Sequence, residues 1–109
     1  MLFRSVLASG GALFFDGNYN YGSGNYIQPL ATNTQAFFTS GAERMRITSG
    51  GNIGIGTVDQ FGGGAKVIGI ANASTVPAGN PTGGGVLYVE AGALKYRGSS
   101  GTVTTIAVA

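Results

Sequence analysis

Short runs of β-branched and aromatic residues recur along this chain, and clusters of Gly, Asn and Ser separate them. Such spacing predicts many short strands joined by tight turns. Gly interrupts nearly every window that is long enough for several helical turns, so the pattern offers little support for helices. In the first part of the chain, the apolar runs at 2–7, 12–15 and 36–39 are candidate strands. The sequence therefore predicts an all-β chain of short strands and hairpins.

The middle of the chain has the clearest two-residue period. Met45 and Ile47 alternate with charged residues, residues 49–52 are a Gly- and Asn-rich turn, and an Ile-Gly-Ile-Gly run follows at 53–56. A strand that lacks side chains on one face lets other atoms approach closely, which we interpret as packing against a neighbouring subunit. The residues predicted to form the core between subunits are Met45, Ile47, Ile53, Gly54, Ile55 and Gly56.

A second strand-rich region follows a connector that contains Pro and Gly. Residues 65–71 have the pattern of a strand, and residues 76–85 that of a non-helical surface linker, because Pro fixes φ and lacks an amide donor. Strands predicted at 86–90, 93–97 and 102–108 form a three-stranded meander. Its predicted apolar face comprises Leu87, Val89, Leu94, Tyr96 and Val103, with Lys95 and Arg97 on the other face.

These patterns divide the chain into four predicted segments. Residues 1–40 form an N-terminal β segment suited to anchoring or adhesion, and residues 41–75 a fibre-type β repeat region. Residues 76–85 are the linker, and residues 86–109 are the meander.

The residue types that are missing narrow the possible chemistry. The chain has 21 Gly among 109 residues, only 9% charged residues, and neither Cys nor His. It therefore has no thiolate nucleophile, no zinc site that uses Cys and no catalytic triad that uses His. We predict no enzymatic activity, no catalytic residue, no metal site and no cofactor. The six basic residues form no run, and polar residues recur in the uncharged stretches, so we predict neither nucleic-acid binding nor membrane insertion.

A segment rich in Tyr and Asn lies between residues 16 and 26. Tyr rings can stack on sugar rings, and Asn amides can form hydrogen bonds with hydroxyl groups. The same composition fits an ordinary loop in which Gly and Asn form turns and Tyr covers small apolar patches, and from sequence alone we favour that structural interpretation. The residues predicted to contact a glycan under the first interpretation are Asn18, Tyr19, Asn20, Tyr21, Asn25 and Tyr26.

Residues 41–57 have the sequence GAERMRITSGGNIGIGT. This stretch resembles an ERMRI…GN(I/V)GIGT signature that recurs in tail fibres and related appendage proteins of bacteriophages. Residues 83–107 are similar to C-terminal segments of phage structural proteins. The resemblance implies a homotrimeric β-fibre, of the β-helix or β-prism kind, in which three chains wrap about one axis and share a core. It transfers no self-cleavage residue to this chain.

The leading functional hypothesis is a structural virion protein of a bacteriophage, located on the tail or capsid surface. It would be a short homotrimeric fibre or spike whose partners are its own copies and other virion proteins, and whose role is virion assembly and host-surface attachment. The alternatives are a glycan-binding adhesin module that meets a host-surface glycan and a capsid decoration protein. A polysaccharide-degrading fibre, with carboxylates contributed by neighbouring chains, is a weaker alternative because the chain has only four acidic residues.

Overall fold

A computed structural model describes residues 11–15, 17, 19–30 and 33–109 of the chain. The described residues contain nine β-strands and no helix, so the all-β prediction is confirmed. Among them, no helix is present that is long and apolar enough to cross a membrane. The strand predicted at 2–7 lies outside the described residues. The strands are β1 (Leu13–Phe14), β2 (Tyr26–Leu30), β3 (Thr34–Thr39), β4 (Ala42–Ile47), β5 (Ile53–Ile55), β6 (Ile68–Ile70), β7 (Gly85–Glu90), β8 (Ala93–Gly98) and β9 (Val103–Ala107).

The strands form two open sheets whose strand order follows the chain. Strands β1 to β6 make a six-stranded sheet, and β7 to β9 make a three-stranded sheet. The pairs from β1 to β5 and from β7 to β9 are antiparallel. Consecutive antiparallel neighbours need only short connections, which agrees with the many turn signals in the sequence.

The chain divides into two compact units between Gly69 and Ile70. The first unit contains the six-stranded sheet up to β6, and the second contains the three-stranded sheet. The first sheet continues through the segment boundary predicted after residue 40, because β3 and β4 pair across a turn at Ser40 and Gly41. Residues 76–84 of the predicted linker 76–85 contain neither strand nor helix, and Gly85 begins β7.

Strand β2, which contains Pro29, is absent from the sequence-based prediction, and Tyr26 belongs there to the Tyr- and Asn-rich segment. Pro cannot donate to a strand ladder and is confined to positions where no donor is needed. In the structure β1 pairs only with Tyr26 and Ile27, so the Pro29 end of β2 has no described partner on that side. On its other side, Pro29 lies opposite Gln35 of β3. The location of Pro29 therefore satisfies the restriction without preventing a strand.

Two other predicted strands are shorter in the structure than in the sequence pattern. The strand predicted at 65–71 is reduced to β6, because Lys66 has a positive φ of 62° and lies in a bend. The predicted strand that begins at Ile53 ends at Ile55, since Gly56 has φ 67°. Both strands are therefore limited by places where the backbone turns, and the pattern of apolar residues does not indicate such turns.

The described residues form a very small core. Only three apolar residues among them are buried, namely Tyr26, Ala36 and Tyr88, and no large side chain is fully buried. Fifteen large hydrophobic residues of the described part of the chain are exposed to water in a single copy. Burial of apolar surface is the main favourable term in folding, and this chain leaves much of that term unused.

The meander is confirmed, and its register corrects the prediction for Val103. Leu87 lies opposite Tyr96, and Val89 opposite Leu94, so these four residues share one face as predicted. Val103 lies opposite Arg97 and therefore belongs to the other face. The prediction failed because alternation within one strand does not reveal which register the next hairpin adopts.

Candidate assembly surface

One face of the six-stranded sheet carries most of its aliphatic side chains. The register places Leu13, Ile27, Phe37, Met45 and Ile55 in one row across β1 to β5. A second row on the same face contains Pro29, Gln35, Ile47 and Ile53. We call these two rows the open face, because none of their side chains is buried and Leu13, Ile47 and Ile55 are exposed. No residue in either row is charged.

Strand β6 extends the open face by two isoleucines. A methyl group built on Gly69 would lie 3.1 Å from Cδ1 of Phe61, and one built on Gly54 would lie 3.2 Å from Cζ of the same ring. Gly54 and Gly69 therefore face the same side of the sheet, under Phe61. Because side chains alternate along a strand, Ile68 and Ile70 face the other side, with Ile53 and Ile55.

The opposite side of the sheet, which we call the covered face, holds the buried residues of this unit. Tyr26, Ala36 and Thr34 are buried there, and Phe14 and Phe38 lie beside Tyr26 in register. The rings of Tyr26 and Phe38 are stacked with centroids 4.4 Å apart. Such pairs contribute about 0.5–1.5 kcal/mol beyond their burial. The covered face is thus completed by the chain itself.

Asn52 holds the loop that covers the Gly side of β5 and β6. Its side-chain amide donates to the carbonyl of Gly64 at 2.9 Å, and its side-chain oxygen accepts from the amide of Val67 at 3.1 Å. Asn52 is itself buried, and both bonds are partly shielded from water. The loop they fix carries Phe61 over Gly54 and Gly69. The Asn of the GNIGIGT stretch is therefore an anchor for the covered face.

The structure groups four of the six predicted core residues. Met45 lies opposite Ile55, and Ile47 lies opposite Ile53, so these four share the open face. Gly54 lies on the other side, where a methyl group would overlap the carbonyl of Thr57. The interpretation of the Gly face as a contact with a neighbouring subunit is wrong for Gly54, because this chain's own loop fills that space. Gly56 follows β5 in a bend with φ 67° and is likewise not a strand residue of that core.

The charged residues of β4 lie away from the open face or at its margin. Arg46 forms two hydrogen bonds with the carboxylate of Glu43, at 2.5 and 2.6 Å, and both side chains are largely buried. The hydrogen bonds that Arg46 donates to Glu43 raise the pKa of Arg46 above its ordinary value, although partial burial opposes the shift. Arg44 lies near the β3–β4 irregularity and donates to the hydroxyl of Thr39 at 2.8 Å. The two rows of the open face therefore stay uncharged.

The Tyr- and Asn-rich segment forms an aromatic cluster over the covered face, comprising Phe14, Tyr19, Tyr21, Tyr26 and Phe38. The Phe14 ring makes edge contacts with Tyr19 and Tyr21, at centroid distances of 5.7 and 5.1 Å. Tyr19 is 78% exposed and Tyr21 is 48% exposed. The cluster thus presents two accessible phenol rings on a supported base.

The other predicted glycan contacts that the structure describes form hydrogen bonds within the chain. The side-chain oxygen of Asn20 accepts from the Gly22 amide at 2.8 Å, and that of Asn25 accepts from the Ser40 amide at 3.0 Å. Tyr26 is only 4% exposed, and its hydroxyl donates to the Tyr21 carbonyl at 3.0 Å. Its ring is therefore not available to stack on a sugar, and burial raises its pKa, with a smaller contribution from Tyr21. Asn18 lies outside the described residues.

The described residues offer no constellation for metal chemistry. No group of three or more acidic residues lies close enough to hold a metal ion in the part of the chain that the structure describes.

Sequence reasoning missed Phe61 as the side chain that covers Gly54 and Gly69, because an isolated Phe in a polar loop carries no periodic signal. The available signal in the sequence was that Gly54 and Gly69 each lie between two isoleucines.

Comparisons with known proteins add one structural likeness. The chain is similar to a solved structure of a hyaluronidase from Streptomyces koganeiensis, with 30% sequence identity and a TM-score of 0.40. The match covers 100% of this chain and 56% of that one, so the chain spans about half the length of the protein it matches. A TM-score this low assigns neither a shared fold nor an activity. No protein-family model matches the sequence, and no curated protein matches it.

Proposed function

We propose that this protein is a structural component of a bacteriophage appendage, a short homotrimeric fibre or spike that assembles through the open face. The observation that supports assembly is the placement of Met45, Ile47, Ile53 and Ile55 on one uncharged, accessible face of a sheet whose other face is already covered. A large exposed apolar face on a soluble chain marks a site of association. The number of three copies, the phage assignment and the virion location come from the resemblance of residues 41–57 to tail-fibre sequences.

A second copy of the chain is the occupant that fits this face best. The face has no charged residue that would demand a complementary partner, and an identical face offers the same aliphatic chemistry. Sharing it among copies would bury the apolar side chains that a single copy leaves accessible. Each Å² of apolar surface that the copies bury would contribute about 25 cal/mol, and this burial would supply stabilisation that a single copy lacks.

Sedimentation analysis of the chain tests the assembly proposal. We expect a species of three times the chain mass in the wild type. The double variant Ile47→Thr and Ile55→Thr keeps β-branched residues in the strands but makes the open face polar, so the trimer should dissociate at least tenfold more readily. The matched control is Val58→Thr with Val76→Thr, two residues of similar exposure outside the open face, which should sediment as the wild type does. A folded wild-type monomer would overturn the proposal.

A glycan-binding role is the second candidate, and the aromatic cluster is the observation that favours it. Tyr19 and Tyr21 are exposed, and a hydrogen-bonded turn supports them, in which Gly24 donates to the Asn20 carbonyl at 2.6 Å. Rings that are already held in place lose little conformational entropy when a sugar stacks on them. No charge lies between residues 17 and 42, so the chemistry suits a neutral saccharide.

Binding to purified neutral polysaccharides, measured by calorimetry, tests this second candidate. The variants Tyr19→Ala and Tyr21→Ala should each weaken binding by about fivefold or more, as the loss of a stacking contact of roughly 1 kcal/mol implies. The control is Phe15→Ala, since Phe15 is an exposed aromatic residue next to that segment and is not among the predicted contacts. Equal binding by all three variants and the wild type, or no binding at all, would remove the candidate.

A further inference from the structure

The three-stranded sheet of the second unit also has a covered face and an open one. Its open face contains Leu87 and Tyr96 opposite each other, and Val89 opposite Leu94. Leu87 is 54% exposed and Tyr96 is exposed as well, whereas Tyr88, on the other face, is buried. The more apolar face is therefore the one in contact with water.

The charged side chains of this sheet are all engaged on the covered face. Lys95 forms an ion pair with Glu90 at 2.5 Å, and Lys95 lies opposite Tyr88 in the register. Arg97 donates to the carbonyls of Ala78 and Gly79, both at 2.9 Å. These bonds are made within the chain, so the open face of the second sheet carries no charge to direct a partner of opposite sign.

Tyr96 makes this open face continuous. A methyl group built on Gly85 would overlap the Tyr96 ring, so the ring occupies the space beside the backbone of Gly85. An aromatic ring laid over a glycine on the adjacent strand fills the gap that the missing side chain would leave. The result is an uninterrupted apolar surface from Gly85 to Val89.

The area of this open face indicates whether its partner is an independent protein or another copy that is already held in the same assembly. Three strands of five or six residues, with a rise of about 3.3 Å per residue and a spacing of about 4.8 Å, give a projected area of roughly 300 Å². Stable interfaces bury about 800 Å² on each partner, so this face is too small to hold an independent protein. Copies joined through the first unit would present it at an effective concentration near the millimolar range, where a small apolar contact is sufficient.

We propose that the open face of the second sheet packs against the same face of the other copies within one assembly. This inference rests on the proposed function, because trimer formation through the first unit supplies the effective concentration. Leu87 and Tyr96, as the exposed members of the face, make the contact between copies. The second unit is then a dependent layer of the assembly, formed after the first.

Cross-linking of single-cysteine variants tests the proposal. The chain has no Cys, so Leu87→Cys introduces a single thiol. We expect a short bis-maleimide to join Leu87→Cys chains into covalent dimers on a denaturing gel. The matched control is Val103→Cys, which is 43% exposed but lies opposite Arg97 on the other face, and we expect it to cross-link at least tenfold more slowly.

Sedimentation of both variants separates this inference from the assembly proposal. Trimers in which Leu87→Cys cross-links no faster than Val103→Cys would overturn the inference and leave the proposed function intact. Monomers of the wild-type chain would overturn the proposed function, and the inference would fall with it. Trimers with selective Leu87→Cys cross-linking, abolished in the Ile47→Thr, Ile55→Thr background, would establish both the contact and its dependence on the first unit.

Discussion

The two sheets differ in the kind of contact by which the chain covers one of their faces. In the first unit, the covered face is closed by carbon contacts, with Phe61 over two glycines and an aromatic cluster over Tyr26. In the second, it is closed by polar contacts, with Arg97 holding the connector through its guanidinium group. In both, the ion pair of the sheet is on the covered face, and most of the aliphatic residues placed by the register are on the open one. The charged side chains on the covered faces form ion pairs and hydrogen bonds within the chain, and the apolar faces carry no charge.

This difference predicts that a steric change under Phe61 is the most damaging change in the first unit, and that loss of the Arg97 hydrogen bonds loosens the connector of the second. The variants below are ordered from the largest expected effect to the smallest. All refer to unfolding at one fixed protein concentration, because association makes apparent stability depend on concentration.

Gly54→Ala should have the largest effect. Its methyl group would overlap the Thr57 carbonyl and approach the Phe61 ring, and the backbone cannot yield as a flexible side chain can. We expect a loss of about 3 kcal/mol in the free energy of unfolding, measured by urea denaturation. The control is Gly84→Ala, where no atom lies within 4 Å of the added methyl and the stability should change by less than about 0.5 kcal/mol. Equal stability of the two variants would contradict close packing under Phe61.

Asn52→Ala tests the anchor of the same loop and should cost about 2 kcal/mol. It removes two side-chain hydrogen bonds and leaves the Val67 amide and the Gly64 carbonyl without those partners. Thermal unfolding followed by circular dichroism measures the loss. If the loop is held mainly by the Phe61 contact, Asn52→Ala will be nearly neutral, and the role assigned to Asn52 is then wrong.

Asn52→Asp sharpens the test through pH. Near neutral pH the carboxylate would face the Gly64 carbonyl, two acceptors without a proton between them, so the folded state should raise the pKa of the new carboxyl group. A folded pKa above the unfolded one gives stability that is complete below the unfolded value of about 4 and is lost as pH rises. Relative to the wild type, Asn52→Asp should therefore gain stability as the pH falls toward 4.

The sequence predicted the fold class and the grouping of four open-face residues because both follow from two-residue alternation. Met45, Ile47, Ile53 and Ile55 alternate within their strands, and a short hairpin leaves little freedom of register between them. The sequence could not indicate which face the chain itself covers, since Phe61 lies in an irregular loop. Nor could it show that Tyr26 is buried, because a Tyr among Asn and Gly has the composition of an exposed loop.

Arg97→Lys tests the polar clamp of the second unit and should have a smaller effect, about 1 kcal/mol. Lys keeps the charge but cannot form the fork of donors that reaches Ala78, Gly79 and Asn80 together. Hydrogen exchange of residues 76–84 should become several times faster, while exchange in the first sheet stays unchanged. The control Arg44→Lys, at an exposed arginine of the first unit, should leave the connector as it is. Unchanged exchange in Arg97→Lys would show that the connector does not need the guanidinium group.

Tyr26→Phe should have the smallest effect at neutral pH and the clearest pH signature. It removes one hydrogen bond to the Tyr21 carbonyl but keeps the stacked ring, so we expect a loss of about 0.5–1 kcal/mol. Burial raises the pKa of Tyr26 above 10, which means that the folded state favours the neutral phenol. Its stabilising contribution is therefore complete below about pH 10 and declines as the pH rises through the folded value. Absorbance titration of tyrosinate should lose a late-ionising component in Tyr26→Phe, whereas Tyr19→Phe, at an exposed ring of the same cluster, should retain it. If the late component survives in Tyr26→Phe, another tyrosine gives rise to it, and the raised pKa assigned to Tyr26 is wrong.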